Sequence, residues 1–251
     1  MPRNRSIFRR KVFLCSSGFL FALTAVLFWQ WPRVEALAGT VSARLGPPHT
    51  VQERVDAYGD AVQKRLRPLF EKNSVAYPPA RITLIGLKEE KQLELWAGNA
   101  TGPMRLLKTY PIKAASGGPG PKLREGDRQV PEGIYAIESL NPNSRYHLAL
   151  RVNYPNAFDR AQAQKEGRSN LGGDIMIHGK AVSIGCLAMG DSAAEEIFIL
   201  GALTGIENIQ VLLCPADLRR GEFPPPPAAP VWTTEVYRTL KTALKDYPDR
   251  P

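Results

Sequence analysis

Cysteine and histidine are scarce in this chain of 251 residues, which holds three of each. Three cysteines cannot build the disulfide scaffold that is typical of small secreted domains. The three histidines show no HxxxH pair, and the cysteines show no CxxC pair. Because zinc-binding chains usually carry one of these spacings, the sequence predicts no metal site and no bound cofactor.

Most of the chain also lacks a strong excess of charge. The formal net charge is +9, but residues 1–38 hold six basic residues and one acidic residue, so five of the nine charges lie there. The mildly basic remainder suits an anionic cell envelope and does not indicate a nucleic-acid partner. Hydrophobic residues make up 43% of the chain, which excludes a wholly disordered protein.

Long uncharged runs are rare, and the one exception lies near the N-terminus. Five basic residues precede Val12, and residues 12–29 contain no charge. This pattern is typical of an export signal, although the run reaches the lower limit for spanning a bilayer core of ~30 Å. Ala36-Leu37-Ala38 offers a cleavage site before Gly39. A cleaved signal peptide and an uncleaved inner-membrane anchor both stay open for residues 1–38, and either predicts that residues 40–251 lie in the periplasm or cell envelope.

The exported part divides by its hydrophobic periodicity. Apolar residues at helical spacing predict an N-terminal helical segment over 39–74. Short alternating runs, separated by turn residues such as Asn141-Pro142-Asn143, predict a mainly β domain over 75–220. Within it, Ser192 and Glu195 predict a capping box at the start of a helix that Gly205 ends. A proline-rich spacer and a terminal amphipathic helix are predicted over 221–251.

His178 and Cys186 are the residues most suited to chemistry. They stand eight positions apart, and a tight turn at Gly185 would let the imidazole face the thiol. A neighbouring imidazolium lowers the pKa of a thiol and favours the nucleophilic thiolate. The backbone amides of Gly185 and Cys186 are then candidates for an oxyanion hole. A buried structural cysteine beside a histidine bonded to backbone remains the alternative.

At this motif the chain resembles the L,D-transpeptidase catalytic domain (YkuD-type), and in particular its YafK-like branch of murein-processing proteins. The resemblance rests on His178-Gly179 followed by Ser183-Ile184-Gly185-Cys186. Three further stretches support it, at 120–127, 131–135 and 140–146, and it covers about residues 75–215. It implies a mainly β, sandwich-like catalytic domain with flanking helices.

The resemblance also implies roles for the residues of the motif. Cys186 would be the nucleophile that forms a thioester with a peptidoglycan stem peptide. His178 would be the general base and acid, and the carbonyl of Gly179 would orient its ring. No cofactor is implied.

The chain departs from the broader family at one position. Ala188 stands where an arginine is common, two residues after the cysteine. Recognition of a substrate carboxylate is therefore expected from Lys122, Arg124 or Arg145, with Ser183 as a further substrate-binding candidate.

Three functions stay open at this stage. The first is hydrolysis of a diaminopimelate-linked amide, with release of wall-bound lipoprotein, which the likeness to the YafK-like branch favours. The second is transpeptidation, in which an amine receives the acyl group to form a cross-link or attach a lipoprotein. The third is a non-catalytic peptidoglycan-binding module.

Overall fold

The computed structural model describes residues 47–248, so the predicted signal or anchor over residues 1–38 lies outside the described residues. The strands are β1 (Arg81–Leu87), β2 (Gln92–Gly98), β3 (Arg105–Pro111), β4 (Gly133–Ser144), β5 (His147–Val152), β6 (Met176–His178), β7 (Leu187–Ala188) and β8 (Ile209–Cys214). The α-helices are α1 (Val51–Lys72), α2 (Ala157–Lys165), α3 (Asp191–Thr204) and α4 (Thr233–Ala243). Two 3₁₀ turns, Ile206–Asn208 and Leu244–Asp246, precede β8 and follow α4.

The strands form one mixed sheet that curls on itself. Its order is β3-β2-β1-β8-β4-β5-β6-β7. The β1–β8 and β6–β7 pairs are parallel, and the other neighbours are antiparallel. Ala114, just beyond β3, forms an isolated bridge with Ala188 in β7. The two ends of the sheet therefore approach each other, and the active-site motif lies where they meet.

Helices pack on both faces of this sheet because side chains alternate along each strand. Leu84 of β1 joins a core cluster with Phe70 of α1 and Phe198 of α3. Its neighbour Ile85 joins a second cluster with Leu240 of α4. The predicted mainly β fold with flanking helices is confirmed.

Two local predictions were wrong. Helix α3 begins at Asp191 after Gly190, and no side chain caps it, because Ser192 already lies inside the first turn. The predicted turn at Asn141-Pro142-Asn143 lies inside β4, where the pairing with β5 shifts between Asn141 and Ser144. Gly205 ends α3 as predicted, with a φ of 87°.

Residues from His49 onward form one compact unit. The predicted boundaries at 74 and 220 fall inside this unit. The proline-rich segment contacts α4, since the rings of Phe223 and Tyr237 lie 6.3 Å apart. Among the helices described, none has both the length and the apolar composition needed to cross a membrane.

A buried carboxylate fastens α1 and α3 to the sheet. Glu196 of α3 is 1% exposed and receives hydrogen bonds from Arg65 Nε (2.7 Å), Lys108 Nζ (2.6 Å) and Tyr110 OH (2.8 Å). Arg65 comes from α1, and the other two donors come from β3. The carboxylate thus joins three elements through one side chain.

We expect Glu196→Ala to lower the free energy of unfolding by about 1 to 3 kcal/mol, because it leaves the buried Tyr110 hydroxyl and the partly exposed Arg65 and Lys108 cations without their acceptor. Glu71→Ala is the matched control, since Glu71 of α1 forms an exposed pair with Arg67 and should change stability by less than about 1 kcal/mol. Chemical denaturation measures both. Equal effects of the two substitutions would contradict the anchoring role of Glu196.

Candidate active site

His178 ends β6 and is 2% exposed. Its Nδ1 lies 2.6 Å from the carbonyl oxygen of Gly179, so we assign the proton to Nδ1, which donates to that carbonyl. Nε2 then keeps its lone pair and can accept a proton. Burial lowers the pKa of His178, although the bond to Gly179 acts in the opposite direction. The imidazole is therefore neutral at neutral pH.

Gly179 is required by close packing. A Cβ at this position would lie 2.7 Å from the Tyr146 carbonyl oxygen and 2.7 Å from Asp191 Oδ1. Distances below 3.0 Å to a backbone atom leave no room for a side chain. The turn at Gly179, whose carbonyl accepts from His178, is therefore packed closely between the β4–β5 turn and the start of α3.

The β4–β5 turn forms a wall beside the imidazole. The ring of Tyr146 is 44% exposed and lies 4.8 Å from the His178 ring, with the planes 33° apart. The next residue, His147, has a φ of 74°. Its Nε2 lies 3.1 Å from Glu195 Oε1, and its ring makes a T-shaped contact with the Tyr58 ring. His147 is therefore a hydrogen-bonded histidine at the start of β5. Tyr146 is a site residue that the sequence analysis missed.

Strand pairing sets the register of His178 against the residues that follow Cys186. Cys186 directly precedes β7, and within the β6–β7 pair His178 is the partner of Ala188. Two residues separate Cys186 from Ala188, and strand alternation gives residues two apart the same face. The register positions of the thiol and the imidazole therefore share one face of the sheet. Cys186 is only partly buried.

The thiol of Cys186 is held by backbone groups of the adjacent strand. Its Sγ accepts from the Met176 amide and donates to the Asp174 carbonyl, each at 3.4 Å. Burial raises the pKa of this thiol, and Asp174 adds to the rise. The Met176 amide and Lys122 act in the opposite direction.

The predicted lowering of the thiol pKa by an imidazolium is wrong for this state. The physical reason is that burial keeps His178 itself neutral, so it supplies no positive charge. Cys186 and His178 are therefore both uncharged in this state. A neutral thiol must lose its proton to a base before or during any attack by its sulfur.

Both predicted oxyanion-hole amides are already engaged. Gly185 N donates to Ser116 Oγ at 2.6 Å, and Cys186 N donates to Ser183 Oγ at 3.0 Å. Ser183 Oγ in turn donates to the Cys186 carbonyl at 2.7 Å. Neither amide is a free donor in this conformation, so the oxyanion hole stays a prediction that requires a hydroxyl to turn away. Ser183 is occupied within the nucleophile loop.

Ser116 is the second site residue that sequence reasoning missed. Its hydroxyl donates to the Arg128 carbonyl at 2.7 Å while it accepts from Gly185. It therefore links the loop that precedes Cys186 to a loop almost 70 positions earlier in the chain. No motif signals this contact, because it depends on two loops that meet only in the folded protein.

The three candidate carboxylate-binding residues fall into different environments. Lys122 is buried, and its Nζ donates to the Arg124 carbonyl and to Asp127 Oδ1, which corrects its assignment as a substrate contact. Arg124 is exposed on the same loop. Arg145 is exposed on the β4–β5 turn, next to the Tyr146 ring that covers His178.

We expect iodoacetamide to alkylate Cys186 slowly at pH 7 and faster with rising pH, because only the thiolate reacts and burial raises the thiol pKa. His178→Ala should leave this profile nearly unchanged, since the imidazole is neutral there. Peptide mapping by mass spectrometry locates the label, and fully buried Cys214, whose pKa is also raised, serves as the internal control. A fast reaction that persists at acid pH would instead indicate a thiolate–imidazolium pair.

Comparison with known proteins agrees with this geometry. Residues 81–203 match the family described as the L,D-transpeptidase catalytic domain, YkuD. The Escherichia coli K12 protein named as an L,D-transpeptidase, YafK, is 42% identical over 146 residues, which are 54% of this chain and 56% of that protein. The chain thus spans about half the length of the curated relatives that it matches.

Solved structures with a detectable likeness are more distant. The helical cell shape determining protein Pgp2 from Campylobacter jejuni is 23% identical over 55% of this chain and 48% of its own, with a TM-score of 0.45. L,D-transpeptidase 1 from Mycobacterium tuberculosis is 16% identical over 53% of this chain and 61% of its own, with a TM-score of 0.31. Residues 81–203, which match the family model, contain both His178 and Cys186. Residues 81–203 therefore carry a domain that matches the L,D-transpeptidase catalytic domain family.

Proposed function

We propose that this protein is a cysteine-dependent enzyme that acts on peptidoglycan stem peptides through a thioester on Cys186. The observation that carries the proposal is the register of the β6–β7 pairing, in which positions 178 and 186 fall on the same face of the sheet, together with the bond from His178 Nδ1 to the Gly179 carbonyl, which leaves the lone pair on Nε2. A purely structural histidine would have no need of that arrangement. The family match and the YafK relative support the choice of substrate class.

The first half-reaction begins with the thiol and the imidazole both uncharged. The sulfur of Cys186 attacks the carbonyl carbon of the L-centre in the stem peptide, and its proton passes to His178 Nε2. The carbonyl oxygen becomes an oxyanion in the tetrahedral intermediate. When that intermediate collapses, the C–N bond breaks and Nε2 returns the proton to the leaving amine. The products are a Cys186 thioester and a free amine.

The second acceptor decides the outcome. Water, deprotonated by His178, gives hydrolysis, whereas an amine gives exchange. We infer that hydrolysis dominates, and that wall-bound lipoprotein is among the amines released. Exchange requires a second stem peptide to be held while water is excluded, and Ala188 removes one common anchor for its carboxylate. The periplasm or cell envelope is the proposed location, because murein lies there.

Incubation of the enzyme with purified sacculi and an excess of labelled D-amino acid tests these alternatives. We expect free stem peptides or released lipoprotein with little label incorporated, as measured by mass analysis of the muropeptides. Cys186→Ser and His178→Ala should each lose several orders of magnitude in rate, and the double variant should be little worse than either, since the pair acts as one unit.

Each other outcome has a distinct meaning. Efficient incorporation of the label would establish transpeptidation in place of hydrolysis. Wild-type activity in Cys186→Ser would contradict the thioester. Binding to sacculi without any change in the muropeptides would identify a non-catalytic peptidoglycan-binding module.

Ser116 should act as a positioning residue for the nucleophile loop. We expect Ser116→Ala to lower kcat by about 10-fold or more with little change in KM. The Gly185 amide loses its hydrogen-bond acceptor, so the Cys186 side chain is positioned less precisely. Ser116→Thr keeps the hydroxyl and should recover most of the loss. An equal loss in both variants, or an unchanged kcat in Ser116→Ala, would contradict this role.

A further inference from the structure

A surface cavity of about 560 Å³ lies in the loop that precedes β4. Besides Pro121 and Leu123, six residues line it, namely Gly117, Gly118, Arg124, Asp127, Gln129 and Arg168. Arg168 reaches it from the segment after α2, and the other five belong to one stretch of chain. Nothing in the mechanism above uses this cavity.

The cavity adjoins the nucleophile loop. Its lining residue Gln129 has a carbonyl oxygen 3.6 Å from the position that a Cβ on Gly185 would occupy. Ser116, next to the lining residue Gly117, accepts the hydrogen bond from the Gly185 amide. A peptide whose scissile carbonyl meets Cys186 can therefore extend toward this cavity over a short distance.

The Asp127 carboxylate in the lining accepts hydrogen bonds at both of its oxygens. Asp127 Oδ1 accepts from Lys122 Nζ at 2.7 Å and from Gln129 N at 3.0 Å. Asp127 Oδ2 accepts from Leu123 N at 2.8 Å and from Arg124 N at 3.0 Å. The carboxylate thus shapes the loop and is neutralised by a buried lysine.

The lining contains two guanidinium groups, those of Arg168 and Arg124, and they differ in whether they are free to bind a ligand. Arg168 is engaged, since Nε donates to Glu166 and NH1 donates to the Leu123 carbonyl, each at 2.7 Å. Arg124 is exposed, and within residues 47–248 its guanidinium makes no hydrogen bond or ion pair. It is therefore the uncompensated positive charge of the cavity.

We propose that this cavity is the subsite for the terminal carboxylate of the stem peptide, with the Arg124 guanidinium as its ligand. The inference rests on the proposed function and deepens it. A guanidinium presents two parallel N–H donors that match a carboxylate, and charge-assisted pairs of this kind are the strong ones. Among the three candidates named from the sequence, Arg124 is the exposed one that lines a cavity, and the cavity adjoins the nucleophile loop through Gln129, whereas Lys122 is buried and engaged.

Binding to the inactive Cys186→Ala protein tests the subsite without any need for turnover. The probes are a synthetic stem tetrapeptide with a free terminal carboxylate and the same peptide with a terminal carboxamide, measured by calorimetry. We expect Arg124→Gln to weaken binding of the free acid by about 10-fold or more and binding of the carboxamide by less than about twofold. Arg124→Lys should recover part of the loss, since it restores charge but not the paired donors.

Arg105→Gln is the matched control, because Arg105 is an exposed arginine at the start of β3, paired with β2 and away from the cavity. It should leave both affinities unchanged. Equal losses for the acid and the carboxamide, or none with Arg124→Gln, would overturn the subsite while cleavage of sacculi by the wild type still supports the proposed function. Binding that depends on Arg124, in a protein that never alters muropeptides, would instead support the subsite and contradict the enzyme.

Discussion

The short parallel pairing of β6 with β7 is the constraint on which the active site depends. The two strands hold five residues in all, and their pairing sets the register of His178 against the residues that follow Cys186. Such short strands contribute little stability by themselves. They are held because β6 pairs with β5 on its other side and because Ala114 bridges to Ala188. The curl of the whole sheet therefore maintains the register of His178 against the segment that follows Cys186.

In the site that these strands support, the Cys186 thiol and the His178 imidazole are both uncharged. Burial disfavours both the imidazolium and the thiolate, so it lowers the pKa of His178 and raises that of Cys186. Keeping both groups neutral avoids the cost of two unsolvated charges, and it makes the thiol slow to react with electrophiles. Under the proposed mechanism, the positive charge on the imidazole that would activate the sulfur arises only during attack. Precise placement of Nε2 by the Gly179 carbonyl is then essential.

The sequence predicts the parts of this design that local chemistry dictates. Alternating apolar residues predict β1, β2 and β8, and Gly205 predicts the end of α3. The motif predicts His178, Gly179 and Cys186. Contacts between distant loops escaped prediction, because the partner of Gly185 is Ser116 and the neighbour of His178 is Tyr146. The capping box failed for a local reason, since a helix entered through Gly190 needs no side-chain cap.

The packing around Ala188 disfavours an arginine in β7. A residue that binds the substrate carboxylate is therefore expected elsewhere. Ala188 is fully buried, and its backbone bonds to the segment after β3 through Lys113 N at 2.8 Å and the Ala114 carbonyl at 2.9 Å. An arginine at this position would need space that the buried environment of Ala188 does not offer without rearrangement. The packing that closes the sheet therefore disfavours a cation on the strand beside Cys186. Under the proposed function, a positive charge for the substrate carboxylate is then expected from a loop, and Arg124 stands on the loop that Asp127 shapes.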